Sequence, residues 1–182
     1  MVIAATGFFD GVHLGHQAVL TRLCEEARAT HVPSVVVTFW PHPRTVLQSD
    51  APKFRLLNAL DEKRELLLGF GVDRVVVLSF TPEFSQMSAE SFLRDCLQSQ
   101  YGVVKLIAGY DHHLGHDASS QKSLLLEAAA QATAMPIVRV PENLCDGKVV
   151  SSTKIREALA QGQMEQAKRW LGYDYEIGRA HV

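Results

Sequence analysis

Residues 7–16 read Gly-Phe-Phe-Asp-Gly-Val-His-Leu-Gly-His, gathering three glycines, one carboxylate and two histidines into one short stretch. Glycine lets a backbone turn tightly and approach a ligand with no Cβ in the way. If a helix begins near Leu14, the spacing His13-x-x-His16 places both imidazoles on one side of it. Histidines titrate near neutral pH and donate hydrogen bonds to phosphoryl oxygens, more strongly when that charge raises their pKa. The helix N-terminus adds unpaired N–H groups and the positive end of its dipole. The chemistry open to these residues is anion binding, above all of phosphate. Asp10 could hold the loop through backbone N–H groups or approach a magnesium ion. An ordinary Gly-rich strand-to-helix turn with surface histidines is the bland alternative. It requires the glycines, Asp10 and both histidines to coincide by accident.

Three further stretches carry chemistry-bearing residues. Ser151-Ser152-Thr153-Lys154-Ile155-Arg156 puts hydroxyls at a helix start and a guanidinium one turn later, enough to grip one anion. Plain capping by Ser152 is the alternative there, and Lys154 is expected to point away into solvent. Thr38-Phe39-Trp40-Pro41-His42-Pro43 ends a strand with two prolines, which fix an extended turn and exclude a helix. Residues 109–117, G-Y-D-H-H-L-G-H-D, hold three histidines and two aspartates that could bind a transition metal or stand solvated.

The elements that must position these residues follow from periodicity. Val2–Thr6 is apolar enough for a buried strand, and residues 17–29 place Val19, Leu20, Leu23 and Ala27 at helical spacing. Further strands are expected at residues 34–39, 74–80, 103–108 and 136–140. Between them, helices are expected from Asn58 to about Phe70, from Ser88 to about Gln98, and from Ser119 or Ser120 to about Ala132. Thr81-Pro82-Glu83 reads as a local capped turn, and Asp146-Gly147 as a turn. Two last helices are expected after Ser152 and at residues 163–171. Alternating strands and helices of this kind specify an α/β fold: a Rossmann-like, doubly wound sheet of about five parallel strands. Ligands in such sheets bind beyond the carboxyl ends of the strands, and all four stretches follow strand ends or start helices.

The chain has 182 residues, 47% of them hydrophobic, which suits one domain with a sizeable core. Its net charge of −2 argues against a broad nucleic-acid surface, while leaving room for a local pocket for a small anion. Cys24, Cys96 and Cys145 are scattered, with no C-x-x-C pair, a pattern that suits a reducing cytoplasm. No apolar run is long enough to span a bilayer, and no membrane partner is expected.

The string His13-Leu14-Gly15-His16 resembles the H-x-G-H signature of the nucleotidylyltransferase superfamily. The longer Gly7–His16 string resembles the FMN adenylyltransferase module of bacterial bifunctional riboflavin kinase/FMN adenylyltransferases (FAD synthetases). The likeness extends to residues 38–43, 109–111 and 151–156, and so over nearly the whole chain. It implies the H-x-G-H nucleotidylyltransferase fold and transfer of AMP from ATP to FMN, giving FAD and pyrophosphate, with Mg²⁺. It implies catalytic roles for His13, His16 and Arg156. It places Gly7, Phe8, Phe9, Asp10, Gly15, Asp111, Ser152 and Thr153 around ATP. It places Phe39, Pro41, His42, Pro43, His112 and Leu114 around the flavin, whose flat ring needs apolar surfaces. No covalent nucleophile is required, because FMN brings its own phosphate, and no Ser-His-Asp or Cys-His arrangement stands out.

The loop at residues 109–117 departs from the family pattern G-x-D-F-R-F-G, with His112, His113 and Leu114 in place of Phe, Arg and Phe. The substrates implied are ATP and FMN, with no nucleic-acid or membrane partner. The domain is expected to span residues 1–175. Residues 176–182 lack periodicity and read as a disordered or artefactual tail. A riboflavin kinase domain, absent here, is expected in the full-length protein. Transfer to another phosphate acceptor, such as phosphopantetheine or nicotinamide mononucleotide, is the nearest rival reading. An idle nucleotide- or flavin-binding module is the rival of another class.

Overall fold

A computed structural model describes residues 1–47, 54–110, 122–145 and 147–175. β1 (Val2–Thr6) is buried along its whole length and is the middle strand of the sheet. α1 (Leu14–Thr30) returns the chain to β2 (Ser34–Trp40), whose run of β-branched residues is buried as far as Phe39. α2 (Pro43–Leu47) and α3 (Leu60–Gly69) lead to β3 (Arg74–Ser79). Next come α4 (Pro82–Ser85), α5 (Ala89–Ser91), a π-helical stretch Phe92–Gln98, and α6 (Ser99–Tyr101). β4 (Val103–Gly109), α7 (Lys122–Ala132) and β5 (Ile137–Val140) complete the alternation. A hairpin of β6 (Leu144–Cys145) and β7 (Lys148–Val149) precedes α8 (Ser152–Ala160) and α9 (Met164–Leu171).

The five long strands are parallel and ordered β3-β2-β1-β4-β5, the doubly wound sheet the sequence predicts. Its two faces follow the two-residue period of β1. Val2 and Ala4 pack with Val35, Val37 and Leu106 under Phe92, Leu93, Leu97 and Leu126. Ile3 and Ala5 pack with Val36 and Ile107 under Leu20, Leu23 and Leu67. A third cluster joins Leu57, Val150, Ile155, Trp170 and Leu171, and seats α8 and α9 beside the first turn. Strand order reverses between β1 and β4, so the crevice of this sheet opens where β1 gives way to residues 7–13.

Several local expectations need correction. A helix does start at Pro43, because proline in the first helical turn gives up an N–H that has no helical partner anyway. Ala59, not Asn58, precedes α3; its N–H donates to Glu62 Oε2 at 2.8 Å, and Asn58 Oδ1 instead accepts from Tyr173 Oη at 3.4 Å. Helical structure from Ser88 runs past Gln98 to Tyr101, and Ser88 Oγ accepts from Ser91 N–H as a cap should. Ser151 rather than Ser152 caps α8, accepting from Lys154 N–H. The β6–β7 hairpin was expected only as a turn. The expected helix start at Ser119 or Ser120 and the tail at 176–182 lie outside the described residues.

Candidate active site

Residues 7–13 form a strained turn, four of whose carbonyls accept hydrogen bonds from five side chains. Phe9, Gly11 and Val12 have φ of 50°, 80° and 35°, and a left-handed β-branched valine is held only where its surroundings over-determine it. Phe8 O accepts from Lys63 Nζ at 3.1 Å and from Thr38 Oγ1 at 3.3 Å. Asp10 O accepts from Ser152 Oγ at 2.8 Å, and Gly11 O from Tyr173 Oη at 2.8 Å. Gln17 Nε2 donates to Val12 O at 2.9 Å and to Leu171 O at 2.6 Å. A φ of 80° favours glycine at position 11, and a Cβ there would lie 2.5 Å from Leu57 Cδ1 and force that side chain to shift.

α1 begins at Leu14, as the histidine spacing needs, and the rings of His13 and His16 stack with centroids 3.7 Å apart at 17°. Gly15 leaves room for this, since a Cβ there would stand 3.2 Å from His13 Nδ1. Phe9 meets His16 edge-on at 5.2 Å. Burial pushes His13 down to about 4, with Arg156 adding to the effect. Burial also lowers His16, helped by His13 and Lys63. Both imidazoles are therefore neutral at pH 7 in the free protein, not the near-neutral titrators the sequence suggests. Nδ1 of each is buried with no hydrogen-bond partner among the described residues. Buried polar atoms of this kind favour a ligand that supplies the missing partner.

Asp10 follows the first of its two expected roles. Leu57 N–H donates to its Oδ1 at 2.9 Å, and Arg156 Nη1 pairs with its Oδ2 at 2.5 Å. Burial raises the carboxyl's pKa, against the pull of the Leu57 N–H and Arg156. The Arg156 guanidinium also lies 4.6 Å from the Phe54 ring centroid, with Nη2 3.5 Å from Thr153 Oγ1. Among the described residues no three His, Cys, Asp or Glu side chains come together to hold a metal. In the free protein Asp10, the acidic side chain at the turn, is engaged by Leu57 N–H and Arg156, so the described residues do not by themselves make up a magnesium site.

A cavity of about 740 Å³ opens over this turn. Of the residues expected near ATP, Gly7, Phe8, Phe9, Asp10, Gly15, Ser152 and Thr153 line it, together with His13, His16 and Arg156. Phe39, His42 and Pro43 line it as expected, whereas Pro41 is exposed and outside the lining. Asp111, His112 and Leu114, with the rest of the histidine-rich loop, lie outside the described residues. Lys154 is half-buried, not solvated, and donates to Val149 O at 2.7 Å. One end of the cavity is an aromatic wall. Phe8 packs 5.1 Å from Phe39, 5.0 Å from His42 and 5.9 Å from Phe80, and Phe84 joins Phe39 at 5.5 Å. The other end, beyond β4 and β5, is lined by Gly109, Tyr110, Pro141, Asn143 and Val150.

Sequence reasoning missed Phe80, Phe84, Met87 and Phe92, which complete the aromatic end. The capped turn at Thr81-Pro82 is correct, with Thr81 Oγ1 accepting from Phe84 N–H at 3.1 Å. The available signal was the phenylalanine series on either side of it, at the end of a parallel strand. Lys63 was also missed. It falls between Leu60 and Leu67 on the apolar face of α3, where a lysine is unexpected.

Residues 1–154 match the family model described as FAD synthetase. The chain is 35% identical over 95% of its length to a protein of Listeria monocytogenes, and 39% identical over 96% to one of Pseudomonas fluorescens. Both are named bifunctional riboflavin kinase/FMN adenylyltransferase, and the chain covers 54% and 55% of them. It thus spans about half the length of these curated relatives. A crystal structure from Streptococcus pneumoniae, described as a macrolide-efflux protein, superposes with a TM-score of 0.83 at 26% identity, over 96% of this chain and 56% of that one. Among the described residues no helix is long and apolar enough to cross a membrane. With the matched residues running from β1 through the turn and its histidine pair to the start of α8, the chain belongs to the FAD synthetase family.

Proposed function

We propose that the chain is an FMN adenylyltransferase, moving AMP from ATP to FMN and releasing pyrophosphate. A phosphate oxygen of FMN forms a bond to the α-phosphorus of ATP as the bond from that phosphorus to the bridging oxygen breaks, and the electron pair leaves with pyrophosphate. Both partners are anionic, so the protein's work is alignment and charge neutralisation. The observation that carries this reading is a single cavity with an aromatic wall at one end and a phosphate cradle in its middle. Its volume, about 740 Å³, lies within the range of small-molecule sites.

In this reading Phe8, Phe39, Phe80 and Phe84 face the isoalloxazine, and the end near Asn143 and Val150 takes adenine. His13 and His16 donate to the polyphosphate as neutral imidazoles and strengthen as its charge raises their pKa. Arg156 and the N-terminus of α8 add a guanidinium and oriented N–H groups. Mg²⁺ enters as the counter-ion of the ATP phosphates, as part of the substrate. The domain spans residues 1–175, works in the cytoplasm, and belongs to a longer protein that also carries a riboflavin kinase domain.

ATP labelled at the α-phosphate, offered with FMN, nicotinamide mononucleotide or phosphopantetheine, tests the acceptor. Label is expected in a flavin dinucleotide only. Label in another adenylylated product would replace the flavin reading with a rival acceptor.

A further inference from the structure

Adenylyl transfer as described uses no group of α3, yet α3 turns a lysine into the protein. Lys63 is 5% exposed, and an ammonium buried this far loses its hydration unless partners replace it. Its partners are unusual. Nζ donates to Phe8 O at 3.1 Å, an oxygen it shares with Thr38 Oγ1, and lies 5.9 Å from the Trp40 ring centroid. The carboxylate that attracts it, Asp10, is already paired with Arg156. Two cations thus face one carboxylate, while His13 and His16 are neutral. The oxygen it holds belongs to Phe8, whose ring sits at the centre of the aromatic wall and whose successor, Phe9, opens the left-handed turn. A methionine would fill the same apolar face of α3 without any of these contacts.

We propose that Lys63 is a positioning residue for adenylyl transfer: its buried ammonium fixes the Phe8 carbonyl, and with it the aromatic wall and the turn, and leaves one excess positive charge beneath the polyphosphate. The inference rests on FMN adenylylation being the reaction. Lys63 does not line the cavity and acts through Phe8 and through its field. Burial lowers its pKa to about 8, against the pull of Asp10. Among the described residues, the groups that share its field are Asp10 on the turn, His16 on α1, His42 beyond β2 and Arg156 on α8. Its charge helps to keep His16 and His42 neutral.

The test is kcat/KM for ATP as a function of pH, a profile that reports the free enzyme, with FAD separated from FMN by chromatography. Wild type, Lys63→Arg and Lys63→Met are compared, each checked for folding by circular dichroism. Wild type should fall on the alkaline side with a pKa near 8. Lys63→Arg should move that limb up by about one pH unit or more, since a guanidinium stays charged. Lys63→Met should lack the limb and lie roughly 10- to 1,000-fold below wild type, the scale of losing a preorganised electrostatic contact. A limb at the same pH in wild type and variants overturns the proposal, as does a wild-type profile flat through this range. If Lys63→Met does not fold, the arginine variant decides. Wild type that makes no FAD at any pH defeats the adenylyltransferase reading instead.

Discussion

Asp10 and Arg156, 146 residues apart in sequence, pair at 2.5 Å across the floor of the cavity. The pair explains how an arginine from α8 reaches the turn after β1. Asp10 fixes one edge of the guanidinium, and the Phe54 ring lies 4.6 Å from its centre.

Arg156→Lys is therefore expected to be impaired about 10-fold or more in FAD formation, because an ammonium has neither the planar fork nor the stacking face. A fully active lysine variant would show that Arg156 acts as a point charge only.

His16→Ala should fold and lose roughly one to three orders of magnitude in turnover, the scale of removing one preorganised donor. Its stacking partner His13 and its neighbour Phe9 remain to fill the site. Unchanged turnover would remove His16 from the proposed phosphate site.

Gly11→Ala tests the turn itself. With φ at 80° and Leu57 Cδ1 2.5 Å from the added carbon, the variant should lose on the order of 1–3 kcal/mol of stability, read by denaturant titration. Wild-type stability would mean that the turn relaxes freely.

The sheet was legible because its signals are local. Val2–Thr6 and the Val35-Val36-Val37 run are apolar over strand lengths, and Gly7–His16 carries its chemistry in one stretch. What stayed hidden depends on contacts distant in sequence. Asp10 could be read two ways until Leu57 and Arg156 were seen to claim it. Ser152 looked like a cap, but its hydroxyl reaches back to Asp10 O while Ser151 caps α8. The histidines look like neutral-pH titrators from their type, and only burial shows them to be neutral.

That burial sets a pH dependence of stability. His13 and His42 sit at about 4 when folded, against 6.5 for the exposed group. The unfolded chain takes up the extra protons between those values, so stability present above about pH 6.5 should be lost progressively toward pH 4. Asp10, raised by burial, works in the opposite sense and offsets part of the loss. The melting temperature should fall steadily below pH 6.5. A melting temperature constant from pH 6.5 to 4.5 would contradict neutral buried imidazoles. On the alkaline side Lys63 contributes stability that grows from about pH 8 toward 10.5, so a loss of activity there would not be unfolding.

The most direct test is flavin fluorescence followed in time after purified chain is mixed with FMN, ATP and Mg²⁺, with the products resolved by chromatography. FMN adenylyltransfer predicts a fall in fluorescence, as adenine stacks on the isoalloxazine of the new dinucleotide, with FAD and pyrophosphate formed in equal amounts. Binding of both substrates with no FAD formed would contradict it and leave the chain a binding module.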